Sequence, residues 1–148
     1  MRLLHKLLEF SVPTEDLITI YVLYIRSILE QACQVWHSSL TLENTTDLER
    51  IQKTACKIIL QDSYSTYAKA LELLSLDSLY DRRQNLCLKF ARNCTKTSQV
   101  KHLFPFNKNE HSLDTRAKEK YHVTMARTGR LKDSAIPYMQ RLLNSESG

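Results

Sequence analysis

Glycine is nearly missing from this chain, which has two glycines and three prolines in 148 residues. Tight hairpins, phosphate-cradling loops and strand-to-helix turns need residues that accept positive φ or a fixed turn geometry. Their scarcity weighs against a Rossmann domain, a P-loop enzyme and a β-sandwich. The expectation is an all-α protein, an irregular bundle of about four to six helices with a loop-rich, basic C-terminal part. A chain of this length buries roughly two-thirds of its unfolded surface, so it folds without disulfides or metal. Its 43% apolar and 25% charged residues are ordinary for a globular protein.

Cys33, Cys56, Cys87 and Cys94 lie among apolar residues at helical spacing, the pattern of reduced core thiols in a cytosolic or nuclear protein. The first ten residues carry charges inside their apolar stretch and no small-residue cleavage site, so they do not read as a secretion signal. The longest apolar run, Leu17 to Ile25, is interrupted by Thr19 and closed by Arg26. It falls far short of the roughly 20 residues of a membrane span. The expected location is cytoplasmic or nuclear, not secreted, with no membrane partner.

Pro13-Thr14-Glu15-Asp16 opens the first long helix, with its acids at the positive end of the helix dipole. Leu17, Tyr21, Tyr24, Ile25, Ile28, Ala32, Val35 and Trp36 then recur every three or four residues as one buried stripe. Thr46-x-x-Glu49 resembles a capping box for the next helix, with Asn44 or Thr41 as earlier starts. Leu48, Ile51, Ala55, Ile58 and Ile59 form its expected inner face. Tyr67 to Leu74 is a short helix with Ala68, Leu71 and Leu74 inward. Asp77 or Ser78 caps a fourth helix whose stripe is Leu79, Leu86, Cys87, Phe90 and Cys94. Arg83 falls on that side, where its guanidinium must snorkel or find an acidic partner. Trp36 and Arg83 are read as structural. Beyond Lys101 the periodicity degrades; Tyr121-Val123-Met125 alternates like a short strand with no evident partner, and Ser134 to Asn144 holds a last helical turn or two. The expected organisation is one domain, a bundle over 1–103 with a basic segment, 104–148, packed on it.

Residues carrying enzyme chemistry are hard to find. Cys87, Cys94, His102 and His111 match no zinc spacing, and Cys33 with His37 lacks further ligands. Nucleophile elbows, nucleotide-binding fingerprints and suitably spaced carboxylate pairs are absent, so neither a catalytic residue nor a cofactor is expected. Charge is more informative. Residues 1–88 hold nine basic and eleven acidic side chains, whereas 89–148 hold twelve and five. Between Arg116 and Arg141, basic residues interleave with Tyr121 and Tyr138, a composition that suits phosphate contacts and base stacking. A solvated polar surface with two partly buried tyrosines is the plainer reading and, on these residues by themselves, the favoured one.

A longer series of landmarks carries a resemblance. Tyr24-Ile25-Arg26-Ser27-Ile28-Leu29-Glu30-Gln31-Ala32 is followed by Val35-Trp36-His37-Ser38-Ser39-Leu40-Thr41 and Leu48-Glu49-Arg50-Ile51-Gln52-Lys53. Then come Tyr67, Ala70-Leu71, Leu79-x-x-Arg82-Arg83-x-x-Leu86-Cys87 and Leu103-Phe104-Pro105. Arg127-Thr128-x-Arg130, Ser134-Ala135-Ile136-Pro137-Tyr138 and Arg141-Leu142-Leu143-Asn144 complete it. In order and spacing, over almost the whole chain, these resemble the C-terminal tail of a non-LTR (LINE-like, jockey/CR1-type) retrotransposon reverse transcriptase.

The resemblance implies a segment downstream of the polymerase palm and thumb. The palm's paired aspartates, the endonuclease and the zinc knuckle of some relatives have no counterpart here, so it implies a non-catalytic piece of an RNA-directed DNA polymerase. Its implied partners are the upstream polymerase domain and the phosphate backbone of RNA or DNA. With the charge pattern, Arg116, Lys118, Lys120, Arg127, Arg130 and Lys132 become the candidate nucleic-acid contacts. A helical protein-interaction module and a decayed open reading frame without cellular function are the alternatives.

Overall fold

The computed structural model describes residues 1–106 and 121–146. It is all-α, 73% helical, and without a strand among the described residues. The contacts divide the chain into two compact units, Met1–Gln31 with Leu40–Arg83, and Ala32–Ser39 with Gln84–Gly148.

In the first unit, α1 (Arg2–Glu9) and α2 (Thr14–Ile20) pack on the long helix α5 (Leu42–Leu60), which also carries α6 (Tyr67–Leu73). Leu4, Leu17, Tyr21, Cys56, Ile59 and Leu74 are among its buried residues. The stripe expected from Leu17 to Trp36 does not stay on one face. After α2 the chain widens into a π turn, Tyr21–Arg26, before resuming as α3 (Ser27–Glu30). A π turn spends more residues per revolution than an α turn, so the face rotates past it. Leu17 and Tyr21 are buried, whereas Tyr24 and Ile28 are 63% and 69% exposed.

The same helix was also expected to continue to Trp36. It ends instead at Gln31–Ala32, where Ala32 adopts the left-handed conformation (φ 51°, ψ 26°), and α4 (Cys33–Trp36) starts afresh. Apolar spacing runs unbroken through this point, so periodicity alone does not reveal the stop.

Thr41, the earliest of the proposed starts, caps α5 by accepting from the Asn44 amide at 3.1 Å. Thr46 lies inside the helix and donates to the Leu42 carbonyl. The inner face of α5 is Gln52, Ala55, Cys56, Ile58 and Ile59, with Ile51 partly exposed. In α6 the inward alanine is Ala70; Ala68 faces solvent. Ser78 caps α7 (Leu79–Lys96), accepting from the Asp81 amide and donating to the Asp81 carboxylate.

On α7, Leu79, Arg83, Cys87 and Cys94 are buried as expected, but Ala91 takes the inward place proposed for Phe90. Arg83 does not snorkel: it is fully buried. Its neighbour Arg82 pairs with Glu30 at 3.1 Å, as Arg26 does at 3.4 Å.

Gln52 organises the polar interior of the first unit. Its Oε1 accepts from the Tyr21 hydroxyl at 2.7 Å, and its Nε2 donates to the Tyr67 hydroxyl at 3.1 Å and the Asp77 carbonyl at 2.8 Å. Tyr67 donates in turn to Glu49 Oε2 at 2.6 Å, and Glu49 Oε1 accepts from the Tyr80 amide at 2.7 Å, in the first turn of α7. Burial pushes the Tyr21 and Tyr67 phenols well above the usual tyrosine range, helped at Tyr67 by the hydrogen bond to Glu49. Burial also pushes the Cys56 thiol up to about 11.

Two expected outcomes follow from these positions. Above the ordinary thiol and phenol ranges, the unfolded chain releases protons that the native state retains. The native state then binds more protons, and stability falls as pH rises from about 9 through about 11 and beyond. Urea unfolding across that window measures the decline, and Tyr67→Phe makes it shallower. At the α3–α4 break, Ala32→Gly relieves the left-handed penalty and stabilises by up to about 1 kcal/mol, while Ala32→Val destabilises by about as much or more. Denaturation midpoints read both signs.

Candidate nucleic-acid interface

The described candidate contacts, Arg127, Arg130 and Lys132, lie in the second unit. Its core joins Ala91 and Cys94 of α7 to Phe104, Tyr121, Met139 and Leu143. α9 (Ala135–Ser145) is longer than the turn or two expected and buries Pro137, Met139, Leu142 and Leu143. Pro137 sits in its first turn, where a missing amide proton leaves no helical hydrogen bond unmade.

Tyr121-Val123-Met125 is not a strand. Among the described residues a single antiparallel bridge joins Tyr121 to Phe106, and the His122 amide donates to the Pro105 carbonyl at 2.9 Å. Side chains of α9 supply the remaining partners. Asn144 accepts from the Tyr121 amide and donates to the Tyr121 carbonyl, both at 2.9 Å. One turn earlier, Gln140 accepts from the Thr124 amide and donates to the Leu103 carbonyl, both at 2.8 Å. Two carboxamides four residues apart on one helix face thus do what a neighbouring strand would do. Sequence reasoning missed both; their spacing opposite an alternating segment was the available signal.

This clamp delivers the chain to Arg127 and then to α8 (Gly129–Lys132), capped by Thr128, whose hydroxyl accepts from the Leu131 amide at 3.4 Å. Arg127, Arg130 and Lys132 are exposed. Arg141 is half-buried and donates to the Lys132 carbonyl at 2.8 Å, so it secures the end of α8. Asp133 is the acid among these cations. Arg116, Lys118 and Lys120 lie outside the described residues.

The tyrosines are not available as stacking platforms. Tyr121 is buried with its ring stacked on Phe106 (centroids 5.1 Å apart, 23° between planes). Tyr138 is half-buried, edge-on to the buried His37 at 5.6 Å. Burial of Tyr121 and half-burial of Tyr138 leave Arg127, Arg130 and Lys132 as the exposed members of the described candidate residues.

Cys33 and His37 are both buried, and Trp36 between them is half-buried. Burial raises the Cys94 thiol above its usual range. Among the described residues no group of three or more His, Cys, Asp or Glu side chains is placed to hold a metal ion. No helix there is long and apolar enough to cross a membrane. Compared with family models, curated proteins and solved structures, the chain finds no match.

Asn144→Ala removes both partners of the Tyr121 backbone. The expected cost is about 1–3 kcal/mol for each group left inside without a partner. Amide hydrogen exchange reads it locally: Tyr121 loses protection first, while the amides of α5 keep theirs.

Proposed function

We propose that this chain is a non-catalytic C-terminal portion of a retrotransposon RNA-directed DNA polymerase, supporting the polymerase domain and holding RNA or DNA weakly by its phosphates. The reading rests on the ordered landmarks and on one structural observation, the exposure of Arg127, Arg130 and Lys132 within six consecutive residues. Arg116, Lys118 and Lys120 extend this set, in a half of the chain with twelve basic and five acidic residues. Such contacts neutralise phosphates without reading bases, so the expected binding is weak, indifferent to sequence and steeply weakened by salt. The place of action in this reading is the cytoplasm or nucleus, beside the upstream polymerase domain.

A helical protein-interaction module remains the second reading, favoured by the exposure of Leu23, Tyr24 and Ile28 along the π turn and α3.

Fluorescence anisotropy with oligo(U) RNA and the matching single-stranded DNA tests the first reading. Affinity should fall linearly with salt on logarithmic axes, each single-strand phosphate contact contributing about 0.7 to the slope. Replacing Arg127, Arg130 and Lys132 together by Gln should therefore lower that slope by about 2. Absence of binding at low salt, or binding indifferent to salt, overturns it.

A further inference from the structure

Beside α8, the second unit has an open cleft of about 600 Å³, lined by Val35, Leu103, Pro105, Leu131, Ile136 and Pro137 together with His102, Thr124, Ser134, Ala135 and Gln140. That volume is in the range of small-ligand sites, about 300–1,000 Å³. Its polar groups are largely engaged within the protein. Both ends of the Gln140 carboxamide are bonded to backbone, and the Ser134 hydroxyl donates to the Leu131 carbonyl. Apolar side chains face outward instead: Val35 is 71% exposed and Leu131 44%.

Among the described residues the lining holds no Phe, Tyr or Trp, and the His102 imidazole is its one aromatic ring for a nucleobase to stack on. Aliphatic walls with few free polar groups suit the apolar side chains of another protein better. The border supplies a sign. Lys101 adjoins His102, and Arg130 and Lys132 flank Leu131; all three are exposed, with Asp133 as the neighbouring acid.

We propose that this cleft docks an acidic amphipathic helix of a partner protein. About two or three large apolar side chains at helical spacing enter it, and flanking Asp or Glu residues meet Lys101, Arg130 and Lys132. The cleft contact overlaps the phosphate contacts proposed above at Arg130 and Lys132 and differs from them in its apolar walls.

The test uses the full chain and a labelled peptide of about 18 residues, with Leu and Phe on one helical face and Asp and Glu elsewhere. A control of identical composition has its apolar residues dispersed around the helix. The amphipathic peptide should bind about tenfold or more tightly than the control. Val35→Ser and Leu131→Ser should each weaken it several-fold while leaving oligo(U) affinity unchanged. Equal binding of the two peptides reduces the attraction to charge and overturns the proposal. So does no binding of either peptide, or peptide binding that both substitutions leave intact. Loss of oligo(U) affinity in the serine variants would assign the cleft to nucleic acid and overturn it too. Failure of the phosphate reading appears separately, as absent oligo(U) binding by the unmodified chain.

Discussion

The Gln52 carboxamide ties the first unit together. Fully buried on α5, it reaches the π turn through Tyr21, α6 through Tyr67 and the segment before α7 through the Asp77 carbonyl. The direction of every proton in this network follows from its end. Tyr67 gives its one hydroxyl proton to Glu49, so the same hydroxyl accepts from Gln52. That leaves the Gln52 oxygen turned towards the Tyr21 hydroxyl. The remaining Glu49 oxygen takes the Tyr80 amide, in the first turn of α7. An apolar core tolerates sliding of one helix past another, whereas this chain of hydrogen bonds closes in a single register.

A carboxamide solves a comparable problem in the second unit. Extended chain inside a helical protein carries amides and carbonyls that no helix satisfies, and glycine poverty leaves no hairpin to answer them. Gln140 and Asn144 occupy one face of α9 and satisfy four backbone groups, from Leu103, Tyr121 and Thr124. The stretch leading to Arg127 is thereby anchored to a helix that is itself anchored by Met139, Leu142 and Leu143. Exposed cations on short helical turns are commonly left to wander. Here Thr128 begins α8, and Arg141 holds its last carbonyl from α9.

The helical class was legible because it depends on composition, and α7 was legible because Leu79, Arg83, Cys87 and Cys94 keep strict α spacing from the Ser78 cap onward. The path through residues 21–36 was not. Neither a π turn nor a left-handed alanine alters the residue types that carry periodicity, so Tyr24, Ile28 and Val35 read as buried although they face out. The polar interior was hidden for another reason. A glutamine among apolar residues has the composition of a helix surface, and only the tertiary partners of Gln52 and Gln140 show why burying them costs little. At the candidate interface, the exposure of Arg127, Arg130 and Lys132 followed from charge alone, while the engagement of Tyr121 and Tyr138 depended on Phe106 and His37 from distant parts of the chain.

Apolar side chains that remain in water carry a cost of about 25 cal/mol for each Å². Leu23, Tyr24 and Ile28 bear that cost in the first unit, and Val35, Leu131 and Met125 bear it in the second. A surface that covers them gains from their removal from water, less the cost of association. Charge alone attracts a partner over roughly a Debye length, about 8 Å at physiological salt, and discriminates poorly once it arrives. Apolar contact acts only at touching distance but governs how long a complex lasts. The border of α8 places both kinds of group within one turn, with exposed Arg130 and Lys132 on either side of Leu131.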